Sequence, residues 1–171
     1  IVAAGPNGAL PHATPTDRKL QRGDLLVVDW GVYVDDYPSD LTRTFAVGEI
    51  DPELRRIYDT VRLANEEARK AARPGVSGRE VDRVARDVIE DAGYGEYFIH
   101  RTGHGLGLEV HEAPDASPTN TRPLTPGNVF TIEPGIYLPD RGGVRIEDNV
   151  VVTADGCRTM TSFSRDLITV G

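Results

Sequence analysis

Two blocks of strand-like sequence flank a helical middle. Residues 24–34, "DLLVVDWGVYV", and residues 41–48, "LTRTFAVG", are rich in β-branched and aromatic residues and predict strands. "IVAAG" at the start reads as a further strand. From Asp51 the period changes. Leu54, Ile57, Tyr58, Val61, Ala64 and Ala68 recur at helical spacing until Pro74-Gly75 stops the run. A second helix opens at Ser77, which forms a capping box with Glu80 three residues on. Val81, Val84, Ala85, Val88 and Ile89 give this helix one apolar face, and Gly93 can end it. Residues 128–138, "NVFTIEPGIYL", and 143–153, "GVRIEDNVVVT", return to strand character, and "TADGC" predicts a tight hairpin turn. Antiparallel strands segregated from helices indicate an α+β fold.

Composition narrows the function classes. The 171 residues, 39% hydrophobic, suit one domain with a sizeable core. A net charge of −8 argues against general binding to nucleic acid or anionic membranes. No apolar run approaches the roughly 18 residues of a membrane span. One cysteine, Cys157, excludes an internal disulfide and suits a reducing, cytoplasmic location.

The polar residues that break the pattern carry the chemistry. Asp29 interrupts an apolar run, where a charge is costly unless paired or bound to a cation. With a turn centred at Val34-Asp35, Asp29 faces Asp40 across a hairpin; a turn at Asp36-Tyr37 would shift that register. Downstream, Glu133 and Glu147 are symmetric about Asp140, inside the turn-forming "PDRGG". Any one of these carboxylates alone reads as an edge residue or an arginine's partner. Two hairpins with the same defect point to one acidic pocket, which needs cations to neutralise it. Oxygen ligands with one imidazole suit Mn²⁺ or Co²⁺, with Zn²⁺ as an alternative. Two ions sharing bridging carboxylates form an arrangement that activates water for hydrolysis.

"HRTGHGLGLEVHE", residues 100–112, holds three of the four histidines. His104 and His111 are an odd number of residues apart, so a regular strand would point them to opposite faces. To share a pocket, the backbone between them must bend or bulge, which Gly103, Gly105 and Gly107 permit.

These stretches, with "GPNGALPH", "VVDWGVYVDDYPSDLTRTF" and "TIEPGIYLP", resemble the pita-bread metallopeptidases. The likeness is to their proline-specific branch: Xaa-Pro dipeptidases (prolidases) and Xaa-Pro aminopeptidases (aminopeptidase P). It runs along nearly the whole chain in the family's order. The resemblance implies a curved, mostly antiparallel sheet covered by helices. It implies metal ligands at Asp29, Asp40, His104, Glu133 and Glu147, with Asp40 and Glu147 bridging two ions, most of all Mn²⁺. Glu133 would also act as general base and then acid. His12, His100 and His111 would orient the substrate and stabilise developing charge, and Arg145 would support the metal site.

The implied activity is hydrolysis of Xaa-Pro bonds, in Xaa-Pro dipeptides or in peptides with proline second. Dipeptidase is favoured over aminopeptidase P, and the choice is expected to depend on a part of the protein upstream of Ile1. Residues 1–171 are expected to be a catalytic domain without its first helical segment or any N-terminal domain, partnered by that upstream segment and by a second copy in a homodimer. Methionine aminopeptidase is a rival that "VRIED" disfavours. A peptide-binding module that has lost its metals is another, disfavoured by the intact ligand set.

Overall fold

The computed structural model describes residues 1–171. In chain order the elements are β1 (Val2–Ala4), β2 (Leu25–Trp30), β3 (Tyr33–Val34), β4 (Tyr37–Pro38), β5 (Leu41–Val47), α1 (Pro52–Ala71) and α2 (Gly78–Asp91). There follow β6 (Gly103–Gly105), β7 (Glu112–Ala116), β8 (Val129–Ile132), β9 (Gly135–Leu138), β10 (Gly142–Arg145), β11 (Asp148–Val152), β12 (Cys157–Thr159) and β13 (Thr169–Val170). One sheet has the order β1-β2-β5-β13 and a second the order β12-β11-β8-β6-β7, while β9-β10 and β3-β4 form two-stranded ribbons. Every pairing is antiparallel except β13 with β5. No helix is long and apolar enough to cross a membrane.

The helices form where the periodicity places them. Asp51 caps α1 by accepting from Glu53 N at 2.8 Å, and Pro52 occupies its first position. Both arms of the Ser77–Glu80 capping box are present on α2. Gly93, just past α2, has φ +86°, a conformation that a Cβ would penalise. Every residue of the α1 apolar stripe is buried. It packs with Val81, Ala85 and Ile89 of α2 against Phe130, Ile132, Ile136, Val144, Ile146 and Val150 from the strands. Burial of such side chains contributes about 1.5–3 kcal/mol each.

Two strand expectations need correction. The β3-β4 turn is centred on Asp35-Asp36, both with positive φ, the pattern of a two-residue hairpin turn. Asp29 therefore faces Thr42, and Asp40 lies two residues further along. A two-residue slip preserves side-chain direction, so the two aspartates still share a face. The strands flanking Glu133 and Glu147 are also not continuous. Asp148 pairs with Ile132 and Arg145 with Gly135, the expected symmetry, but each strand breaks at its glutamate. There the backbone turns outward: Glu133 N donates to Thr102 O at 2.7 Å and Glu147 N to Thr42 O at 3.1 Å.

Asn65 fills the gap this leaves. It is a fully buried polar residue of α1, and its Nδ2 donates to Ile132 O at 3.0 Å and Ile146 O at 3.2 Å. Replacing Asn65 with leucine strands two buried carbonyls. We expect a loss of about 2–6 kcal/mol in urea unfolding, at roughly 1–3 kcal/mol per unsatisfied group. An unchanged midpoint would show that the breaks hold without it.

Candidate metal centre

The strand breaks aim the acidic side chains into one small cavity of about 180 Å³. Its walls are His12, Asp29, Asp40, His100, His104, His111, Glu133, Arg145 and Glu147, joined by Pro11 and Arg101. The structure thus brings together every site residue expected from the sequence. A larger, more apolar hollow of about 870 Å³, walled in part by Trp30, Tyr37, Leu106, Met160 and Phe163, shares Asp40 with it.

Ligand atoms of Asp40, His104 and Glu147 lie within 4.8 Å of one another. His104 Nε2 is 3.6 Å from Asp40 Oδ2 and 3.4 Å from Glu133 Oε1. Glu147 is fully committed on one side only. Its Oε2 accepts from Thr42 Oγ1 at 2.6 Å, whereas its Oε1 is buried without any partner. An orphaned carboxylate oxygen beside an imidazole and two further carboxylates is a donor set that fits divalent cations.

Electrostatics agree. Burial, aided by the charge of Asp29, pushes the Asp40 carboxyl up to about 6. Burial, opposed by Arg145 and seconded by the charges of Asp40 and Asp29, pushes Glu133 up to about 8. Glu147 is raised well above the ordinary carboxylate range, by burial first and then by Glu133 and Asp40. Burial pushes the His104 imidazole down to about 4, with His111 adding to the effect, so it is neutral and ready to ligate.

Arg145 organises one wall. Its Nη2 donates to Asp29 Oδ2 at 2.7 Å and its Nη1 to Tyr137 Oη at 2.8 Å, while its Nε reaches Thr42 Oγ1 at 3.3 Å. The Tyr137 hydroxyl lies 2.8 Å from His100 Nε2, continuing the chain of contacts to that imidazole. Thr42 and Tyr137 were not singled out from the sequence. Strand parity offered a signal, since Thr42 is two residues from Asp40 and Tyr137 four from Glu133.

The histidine segment bulges between Gly103 and Gly105, and the His104 and His111 rings meet edge-on with centroids 4.2 Å apart. Neither Gly103 nor Gly105 has positive φ. What they supply is space: a Cβ at Gly103 would overlap Thr131 O, and one at Gly105 would overlap Glu112 O.

A buried cluster of carboxylates and a neutral imidazole on an α+β scaffold has the donor chemistry of a divalent-metal site. The comparisons then fix its kinship: the chain belongs to Metallopeptidase family M24, whose model matches residues 1–154. It is 47% identical over 168 residues to an Xaa-Pro dipeptidase of Pyrococcus furiosus, covering 98% of this chain and 48% of that protein. The crystal structure of a dipeptidase from Pyrococcus horikoshii superposes with TM-score 0.98 at 52% identity, over 99% of this chain and 48% of that one. An X-Pro aminopeptidase from Thermotoga maritima gives TM-score 0.96 at 45% identity, over 99% and 48%. The fold is therefore the pita-bread fold. The chain spans about half the length of the curated relatives it matches.

The raised carboxyls predict how metal-free protein responds to pH. Glu133 and Glu147 hold protons in the folded state that they lose in the unfolded chain. Their stabilising effect is fully present below the unfolded pKa and disappears as pH rises through the folded value. His100 and His104, pushed down by burial, act oppositely but only below their unfolded pKa of about 6.5. Between about pH 7 and 9 the carboxyls therefore dominate. Melting with a chelator should show Tm falling across that window, and Mn²⁺ should reverse the fall while releasing protons. A chelated Tm that rises from pH 7 to 9 would contradict the crowding described here.

Proposed function

We propose that this chain carries the catalytic centre of an Xaa-Pro dipeptidase (prolidase), a peptidase dependent on two divalent metal ions, most of all Mn²⁺, with Co²⁺ or Zn²⁺ as substitutes. The single observation that carries the reading is the buried acidic cavity with its unpartnered Glu147 oxygen. Asp29, Asp40, His104, Glu133 and Glu147 would hold the ions. When bound, such ions polarise a carbonyl and lower the pKa of water.

The chain's own groups supply the rest. The Glu133 carboxyl lines the cavity, where as a carboxylate it would take a proton from water and return it to the prolyl nitrogen as the bond breaks. His12, His100 and His111 line the same cavity, where they can orient the substrate and donate to developing charge. Tyr137 and Arg145 hold His100 and Asp29 in register. The name of the Pyrococcus furiosus relative supports a dipeptide substrate. That of the Thermotoga maritima structure keeps Xaa-Pro aminopeptidase as the second reading. The free Cys157 suits a reducing cytoplasm. Exposed Val32, Tyr33, Val34 and Tyr37 offer an apolar surface for a homodimer.

Hydrolysis of Ala-Pro, Ala-Pro-Ala and Met-Ala-Ser by the full-length protein with Mn²⁺ tests the reading directly. Ala-Pro should be cleaved fastest. Rapid cleavage of the tripeptide with inert Ala-Pro would make it an aminopeptidase, and preference for Met-Ala-Ser would remove proline specificity.

The two neighbouring imidazoles should separate by role. His104→Ala is expected to lower metal content and activity together, because a ligand is lost and the carboxylates become less neutralised. His111→Ala should keep its metal and lose about 10²–10³ in rate, as removal of one preorganised donor does. Elemental analysis beside Ala-Pro kinetics reads both, and the reverse pattern would exchange the assignments.

A further inference from the structure

The loop between β6 and β7 carries His111 to the cavity wall, and its own backbone does little to hold it there. Past the buried Leu106 it has little apolar anchorage, since Leu108 is 66% exposed. Backbone bonding from Gly107 to His111 is a single contact, Gly107 N to Glu109 O at 3.3 Å. The His111 ring touches the edge of His104 and makes no hydrogen bond of its own.

Glu112, the first residue of β7, supplies the fastening. It is exposed and stands outside the walls of the metal cavity. Its side chain turns back over the loop, where Oε2 accepts from Leu108 N at 2.9 Å and from Glu109 N at 3.1 Å. Two successive N–H groups converging on one carboxylate oxygen form a small anion cradle, and such charge-assisted bonds are stronger than neutral ones. The fit is close. A Cβ at Gly107 would overlap the Glu112 carboxylate, and one at Gly105, the ladder partner of Glu112, would overlap its carbonyl oxygen. Two glycines of the histidine segment thus make room for one residue, and the clasp encloses His111 between its ends.

We infer that Glu112 is the positioning residue of His111: its carboxylate clasps the loop and keeps the imidazole facing the metal cavity. The inference rests on the peptidase reading above, in which His111 serves the substrate. Ordering each loop residue costs conformational entropy, which the two charge-assisted bonds offset. His104 does not depend on the clasp. It lies in β6, and its N donates to Thr131 Oγ1 at 3.1 Å. Opening the clasp therefore frees His111 and leaves the ligand set in place.

The test uses full-length protein loaded with Mn²⁺, with Ala-Pro as substrate. Glu112→Ala should lower kcat/KM about 10- to 100-fold, the range for a lost hydrogen bond to a charged group. Its metal content by elemental analysis should stay at the wild-type level. Glu112→Gln keeps an acceptor and should recover part of the loss. Gly107→Ala, whose added Cβ meets the Glu112 carboxylate, should reproduce the loss. Amide exchange at Leu108 and Glu109 should quicken about tenfold or more in Glu112→Ala, with or without metal. In a His111→Ala background, Glu112→Ala should cost no more than about twofold further, because both changes remove the same imidazole contact. Losses that multiply, a fall in metal content, or an unchanged kcat/KM in Glu112→Ala would overturn the assignment of Glu112 and leave the peptidase reading standing. A metal-loaded wild type inert toward Ala-Pro would overturn the peptidase reading, and this assignment with it.

Discussion

The constraint that governs this molecule is the crowding of Asp29, Asp40, Glu133 and Glu147 around one buried cavity. Like charges in a desolvated space raise one another's pKa, so the group resists full ionisation until cations enter. A fold can tolerate such a cluster only if each carboxylate is held rigidly from behind. Each glutamate sits at a break where its strand leaves one ladder and passes its N–H to another element, Thr102 for Glu133 and Thr42 for Glu147. Asn65 then satisfies the carbonyls that precede both breaks. The core helix α1 thereby helps fix the backbone from which two acidic side chains project.

A second polar layer lies beneath the first. Arg43 is buried and uses its donors on Thr42 O, Glu147 O, Ser164 O, Phe163 O and Asp148 Oδ1, all between 2.6 and 2.8 Å. Asp148 also receives Arg165 at 2.6 Å. This network ties β5, the start of β11 and the C-terminal segment into one unit around Glu147. Removing a single partner would strand a buried charge, so the network supplies uniqueness of geometry more than net stability. On the opposite wall Asp82 does similar work through Thr102, whose carbonyl holds Glu133 N.

Much of this was legible along the chain. The apolar stripe of α1, the Ser77–Glu80 box, the turn about Asp140 and the five carboxylate and imidazole positions all followed from spacing or from the family's motifs. Legibility failed where contacts are long in sequence. Asn65 sits within a helical stripe that otherwise reads as core, and its partners lie 67 and 81 residues away. The bend between His104 and His111 was required by parity, yet the glycines serve close approach to Thr131 and Glu112, which no local pattern announces.

The sequence by itself determined which residues break the apolar pattern, and hence the chemistry, because a carboxylate in a strand interior is anomalous whatever surrounds it. It also suggested that Asp29 and Asp40 meet across a hairpin, and the two-residue slip found in the structure leaves them on a shared face. Only the tertiary structure decided that Asp29 pairs with Thr42 and that the glutamate strands break where they do. Those outcomes depend on hydrogen-bond satisfaction between segments distant along the chain. A donor's partner is fixed by how sheets and helices close on one another, and that closure is a property of the assembled core.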